Sequence, residues 1–300
     1  LNIQKKYSIS QFLEPPLINT YSFFYAITLF SSIVLLIMLI PVFFRERPGE
    51  KILPWTKGNS SEVSAKLQLS SWKDILKSLY QVFFLRVSII MGVAVFSFSM
   101  GRGLIGALLP VFTVQELGWT DSHFSQIFAT ANLVSGILGM FVAGALIDFF
   151  GKVRMMTIYL LFLIGLAFAM TFMKSYWHHE TMIYGFFGGF FVLETFMTIA
   201  VFATAMQLCW KRISATQFTL YMAISNLGHS AGSALLGPLK SYLSWEYVIL
   251  TFVVFASVML ILIRYIHFDN HLKKVTILEA EQLAIDEPAA LLTPVKIPVQ

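Results

Sequence analysis

Seven mostly apolar runs divide this chain, at residues 21–44, 84–110, 124–147, 155–173, 182–208, 218–242 and 246–266. Each has roughly the 20 residues a helix needs to cross the hydrocarbon core of a bilayer. No water is available there to pair with backbone N–H and C=O groups, so an apolar run of that length is expected to be helical. The expected fold class is therefore an all-α integral membrane bundle with seven transmembrane helices. Composition agrees: 57% of the 300 residues are hydrophobic and 12% charged, with a mean hydropathy of +0.74. A soluble domain could not bury that much apolar surface.

Lys and Arg, which are enriched in cytoplasmic loops, assign a side to each end of the helices. One side collects Arg45, Arg47, Lys51, Lys57, Lys66, Lys73, Lys77, Lys152, Arg154, Lys211, Arg212, Arg264, Lys273, Lys274 and Lys296, fifteen in all, against Lys5, Lys6, Lys174 and Lys240, four, on the other. The N-terminus is expected outside and the C-terminus in the cytoplasm. These bases lie in scattered loops without an aromatic-interleaved basic stripe, which argues against a nucleic-acid partner despite a pI near 9.2. The single cysteine, Cys209, excludes an intrachain disulfide and leaves no Cys/His metal cluster. No cofactor is expected.

Residues 1–20 read as an external loop and 45–81 as a cytoplasmic loop. Within the latter, Ser71 stands as a candidate N-cap ahead of Trp72, Ile75, Leu76, Leu79 and Tyr80 at helical spacing. Lys73 and Lys77 flank that stripe, as in a helix lying on the inner membrane surface; a soluble connector helix fits the pattern equally. Past His267 hydropathy collapses, and 267–300, ending EPAALLTPVKIPVQ, reads as a mostly disordered cytoplasmic tail. The chain starts without Met, and its first apolar run exceeds a signal-peptide core and lacks a cleavage-like end. It reads as part of something longer.

Small residues at four-residue spacing let helix backbones approach closely in lipid. Ser99, Gly103 and Ala107, Gly139 and Ala143, and Gly228 and Gly232 have that spacing, while Pro110 and the Gly237–Pro238 pair stand near expected helix ends. Ionisable residues deep in the membrane are costly and point to function. Glu194 sits in mid-run in GGFFVLETFMTIA, and Arg102, in FSMGRGLIGALLP, lies about 24 Å beyond Arg86 at 1.5 Å per residue. Asn226 and His229, three apart, share a helix face and suit either a substrate or proton contact or an inter-helix hydrogen bond. Asn132 and Gln207 read as structural. Gln217 is expected to help begin its helix, and Ser214 and Thr216 are N-cap candidates there. Tyr184, Phe190 and Phe196 suit either a cavity wall or simple packing.

Between two of the spans the chain reads GALIDFFGKVR. Gly144, Asp148, Gly151, Lys152 and Arg154 match the cytoplasmic signature of the major facilitator superfamily, with Phe149 where that pattern has a base and Val153 interrupting its basic run. The chain thus resembles a member of that superfamily. A second stretch, Cys209 to Leu239 and above all SATQF at 214–218, is similar to the muropeptide permease and acetyl-CoA transporter group. The resemblance implies two six-helix halves joined by a cytoplasmic loop: 21–44 as the last helix of the first half, 45–81 as the central loop, and 82–266 as the six-helix second half. The N-terminal helices of the same transporter would then be missing partners. It also implies that Gly144, Asp148, Gly151, Lys152 and Arg154 form a conformational latch, an acid and bases meeting the dipole and charges of a neighbouring helix. Plain positive-inside topology is the alternative for the same loop.

In the superfamily the first and fourth helices of each half line a central cavity, which places Arg102 and Glu194 there. Arg102 would bind an anionic group or pair with Glu194, and Glu194 would exchange a proton; a permanent structural pair is the alternative. The implied function is secondary active, proton-coupled transport of a small organic solute, anionic or amphiphilic, by alternating access in a bacterial inner membrane. The partners are then that solute, the proton and the bilayer. A seven-helix receptor is the rival class, but the acid-Arg-Tyr triplet, the Asn-Pro pair of a seventh helix and a loop disulfide are missing. No paired Asp, His-Glu-x-x-His or Gly-x-Ser-x-Gly pattern supports an enzyme.

Overall fold

The computed structural model describes residues 23–43, 72–266, 271 and 273–278. Its helices are α1 (Phe23–Phe43), α2 (Trp72–Phe83), α3 (Arg86–Gln115), α4 (Asp121–Phe150), α5 (Lys152–Phe172), α6 (Glu180–Leu208), α7 (Ser214–Tyr242) and α8 (Trp245–Ile263). Five of them, α3, α4, α5, α6 and α8, are long and apolar enough to cross a membrane. The equally long α7 is more polar, carrying Ser225, Asn226, His229 and Ser233 in its middle turns. The expected loops at 1–20 and 45–71, the N-cap Ser71 and the tail beyond 278 lie outside the described residues. Residues 273–278, however, are helical.

α3 packs along α7 and α8, α8 along α5, α5 along α6, and α6 along α4; lighter contacts of α3 with α4 and α6, and of α6 with α7, complete the bundle. Exchanging the triplet α3–α4–α5 with α6–α7–α8 leaves this pattern unchanged, as expected for two inverted three-helix repeats. The core holds Leu104, Leu108, Phe112, Leu160, Phe187 and Phe252, all nearly inaccessible.

One expected helix end is corrected, at Pro110, while α7 ends at the expected 242. Pro110 lies inside α3 and Pro238 inside α7, which run on to Gln115 and Tyr242. A proline removes one backbone donor, a loss that membrane helices tolerate when the local geometry re-forms partners. The carbonyls that lose a donor are those of Gly106 and Ala234, four residues back; Thr113 Oγ1 donates instead to the carbonyls of Leu109 and Pro110, and Ser241 Oγ to that of Pro238. Nor does Ser214 cap α7: the N-cap is Ile213, with no side-chain cap hydrogen bond, and the preceding turn of 3-10 helix (Lys211–Ile213) leads straight into the helix.

Candidate functional site

Arg102 in α3 and Glu194 in α6 meet in an ion pair, Arg102 Nε against Glu194 Oε1. The two residues are seventeenth and fifteenth in their helices, nearly equivalent under the exchange of triplets. Neither is sealed off: the side chains are 26% and 14% exposed. Thr198, one turn along α6, donates to the same Oε1 at 3.3 Å. Beside them α4 opens into a π-helical turn at Gly139–Ala143, a wide turn often found at functional positions. A Cβ on Gly139 would lie 2.8 Å from Thr195 Cγ2, so the absence of a side chain lets α4 approach α6 next to Glu194.

The expected glycine spacings lie mainly on the α3–α7 seam. A Cβ on Gly103 would fall 2.0 Å from the His229 carbonyl oxygen, and one on Gly232 1.9 Å from that of Met100. Ser99 Oγ and Ser225 Oγ share a hydrogen bond of 2.8 Å, and Ser233 Oγ donates to Gly103 O at 3.0 Å. Asn226 and His229 lie on the exposed side of α7, the His229 ring reaching toward Gly106. Among the described residues neither shares a hydrogen bond or ion pair with Arg102 or Glu194.

The GALIDFFGKVR loop joins α4 to α5 at the end of the bundle that also carries Arg86, Lys211, Arg212 and Arg264. Gly151 makes the joint with φ 87°, a conformation that a side chain would strain. Asp148, Lys152 and Arg154 line a cleft with Ile147 and Gln207. Asp148 is exposed, and among the described residues it makes no ion pair. Lys152 Nζ instead donates to Gln207 Oε1 at 2.9 Å, tying the loop to the end of α6. Gln207, read as structural from sequence, thus belongs to this cleft. A Cβ on Gly144 would meet nothing within 4 Å.

Gln217 does more than begin α7. Fully buried, it accepts from Trp210 N–H at 2.9 Å and donates to Leu208 O at 3.4 Å, clasping the α6–α7 connection. Phe190 stacks edge-on against Phe252 and Phe196 against Tyr159, so both are packing residues. Among the described residues the Asn132 side chain bonds to its own helix, at Phe128 O. Tyr184 joins a cluster at the opposite end of the bundle that sequence reasoning missed. His123 Nε2 lies 2.9 Å from Tyr184 Oη, Tyr184 donates to Glu180, and Trp119 stacks on His123 at 4.5 Å. The only prior signal there was one His and one Trp in a short loop.

A profile of the Major Facilitator Superfamily matches residues 91–298. A protein of Rickettsia conorii named "Putative transporter AmpG 4" is 25% identical over 213 residues, covering 67% of this chain and 49% of the relative. Its Rickettsia felis namesake is 24% identical over 248 residues, covering 78% of this chain and 55% of the relative. The chain thus spans about half the length of the curated relatives it matches. Members of the matched family are transporters rather than enzymes, and the receptor alternative finds no support in it. An all-helical bundle of membrane-length helices, with most of its length inside one family profile, identifies the chain as an integral membrane protein belonging to the Major Facilitator Superfamily.

Proposed function

We propose that the full-length protein is a proton-linked secondary transporter of a small organic solute bearing an anionic group. The observation that carries this reading is the Arg102–Glu194 ion pair, at mid-helix on two equivalent helices and still partly accessible. A carboxylate in a poorly solvated site holds its negative charge when a cation touches it and favours the proton when the cation leaves. An anionic substrate that draws the Arg102 guanidinium away therefore invites a proton onto Glu194. Protonation of Glu194 conversely frees Arg102 for the substrate. Proton and solute binding are coupled through one contact, without any long-range relay.

Alternating access needs a second six-helix half, and we assign that role to α1 together with helices outside this chain. The side of the bundle carrying Gly144, Asn226 and His229 would face them: Gly144 has open space where a Cβ would stand, and both polar residues are exposed. In this reading Asp148, Lys152 and Arg154 act as the latch to the neighbouring half, with Lys152 exchanging Gln207 for a partner across the interface. The basic end is cytoplasmic, the C-terminus with it, and the membrane is a bacterial inner membrane.

The test is uptake into vesicles containing the full-length protein under an imposed pH gradient. Wild-type protein is expected to accumulate solute with the gradient. Glu194→Gln is expected to lose the pH dependence and at least tenfold of the rate. Uptake with an intact pH dependence in Glu194→Gln would overturn the coupling. The isolated 300-residue chain is expected not to transport.

A further inference from the structure

At the basic end of the bundle a cavity is lined by Leu85, Arg86 and Val87 at the start of α3, by Tyr265 just after α8, and by His271, Lys273 and Lys274. We propose that this cavity is a binding site for a phosphate-bearing anion with a neighbouring hydroxyl group, remote from Arg102 and Glu194.

The positive charge is built from two directions. Arg86, Lys273 and Lys274 are exposed, and none takes part in an ion pair among the described residues. The N-cap of α3, Leu85, provides no side-chain hydrogen bond to the first turn. The first turn of this 30-residue helix, where uncapped N–H groups carry partial positive charge, lies at the cavity edge through Leu85, Arg86 and Val87. Helix-start N–H groups, a guanidinium and two ammonium groups together make a phosphate-type donor set. Among the described residues no carboxylate lines the cavity.

His271 adds a second, independent requirement. It is 1% exposed, and its Nε2 lies 2.8 Å from Leu208 O. A carbonyl only accepts, so Nε2 carries the hydrogen, and Nδ1 of the neutral ring is left as an acceptor. That Nδ1 is buried with no partner. An acceptor left so costs free energy unless a ligand donates to it. A hydroxyl close to the phosphate does so while Arg86 and the lysines hold the phosphate oxygens.

The wall is built to stay in place. Val275, one turn beyond His271, packs into a small core with Val82, Trp210 and Ile213. Glycerol-phosphate headgroups of anionic lipids have the required chemistry, and so do soluble phosphoryl compounds with a vicinal hydroxyl. The lipid source rests on the cytoplasmic orientation proposed above, where anionic headgroups meet juxtamembrane bases. The phosphate chemistry does not depend on it.

The experiment is native mass spectrometry of the detergent-purified full-length protein with phosphatidylglycerol, phosphatidylmethanol and phosphatidylcholine. Competition by soluble glycerol 3-phosphate is measured alongside. Phosphatidylglycerol is expected to bind about tenfold more tightly than phosphatidylcholine, and several-fold more tightly than phosphatidylmethanol, which has the same charge but no hydroxyl. Lys273→Gln/Lys274→Gln changes exposed residues only and is expected to erase the preference over phosphatidylcholine. Displacement by glycerol 3-phosphate at matching concentrations assigns the site to a soluble ligand; failure to displace assigns it to the lipid. Equal binding of phosphatidylglycerol and phosphatidylcholine, or an unchanged preference in the lysine pair variant, overturns the site. Equal binding of phosphatidylglycerol and phosphatidylmethanol overturns the part given to His271. None of these readouts involves transport, so they stand or fall apart from the proton-coupling reading.

Discussion

The pairs α3/α7 and α6/α4 occupy equivalent places in the two three-helix repeats, yet they are joined in different ways. Along α3/α7 the contact is backbone on backbone: Gly103 faces the His229 carbonyl, Gly228 that of Phe96, and Gly232 that of Met100. Along α6/α4 a single glycine, Gly139, meets only side-chain tips of Thr195 and Ile199, and α4 passes there through its π turn. Three interlocking backbone contacts fix register and angle, because any slip drives a carbonyl into the opposing helix. One contact against side-chain ends leaves room to tilt. The same topology therefore yields one stiff pair and one adjustable pair, and the adjustable pair contains Glu194 and, at the end of α4, Asp148.

The largest effect expected from this contrast comes from adding one methyl group to each seam. Gly232→Ala places a Cβ 1.9 Å from a backbone oxygen that cannot rotate aside, whereas in Gly139→Ala the atom in the way is Thr195 Cγ2, at 2.8 Å. Overpacking costs about 1–3 kcal/mol where side chains can yield. Gly139→Ala is expected near 1 kcal/mol and Gly232→Ala at or above 3 kcal/mol. Thermal unfolding in detergent checks the order, and equal shifts in Tm would break the comparison.

A second difference lies at the basic end. The start of α7 is buttressed by Trp210, Ile213 and the segment carrying His271 and Val275, while no comparable buttress stands on α4 among the described residues. Burial holds the His271 pKa below its ordinary value, opposed by the hydrogen bond with Leu208 O and reinforced by nearby Lys274; Arg86 and Lys273 add charge of the same sign from the cavity wall. A histidine with a depressed folded-state value contributes its full stability above about 6.5 and loses it as pH falls from there through the folded value. Hydrogen exchange over 271–278, taken relative to the intrinsic rate at each pH, is thus expected to accelerate below about pH 6.5, with α4 and α6 unchanged on the same scale. Acceleration in all three together would mean that the buttress is not a local device.

The architecture was legible because its causes are local: apolar runs long enough to span lipid, and glycines at four-residue intervals that mark close seams. The Arg102–Glu194 meeting was legible only through the family resemblance, since two residues 92 apart have no local signal of contact. What sequence hid was long-range or compensated. Pro110 read as a helix end because it lacks an N–H, yet the loss of one backbone donor does not stop α3, which continues to Gln115. His123 and Gln207 looked ordinary because their partners, Tyr184 and Lys152, lie 61 and 55 residues away. His271 sat in a polar segment that gave no periodicity to read.

The Arg102–Glu194 contact bridges the two repeats, and the comparison predicts that it supplies function rather than cohesion. Both side chains remain partly solvated, so desolvation and attraction nearly cancel. Arg102→Met/Glu194→Met is expected to change stability by less than about 1 kcal/mol while abolishing uptake by the full-length protein. Either single change is expected to destabilise more than the pair, since it leaves one charge unmatched. A double variant that unfolds would make the contact a structural strut instead.

A last contrast, which ends on the smallest effect, concerns two glutamines ten residues apart. Gln217 is sealed between Trp210 N–H and Leu208 O, so Gln217→Ala strands two buried backbone groups and is expected to cost about 2 kcal/mol. Gln207 accepts from Lys152 in an exposed cleft, where water replaces either partner at little cost. Gln207→Ala is expected to change stability by less than about 0.5 kcal/mol. If Lys152 must leave Gln207 for the latch to engage, the same substitution is expected to alter the uptake rate, and the direction reports which state the bond holds. A bond to Gln207 favours the conformation in which Lys152 faces its own bundle, so its loss shifts the population toward the engaged latch. A Gln207→Ala variant with wild-type uptake at every pH would remove Lys152 from the moving parts and leave it a surface tether between α5 and α6.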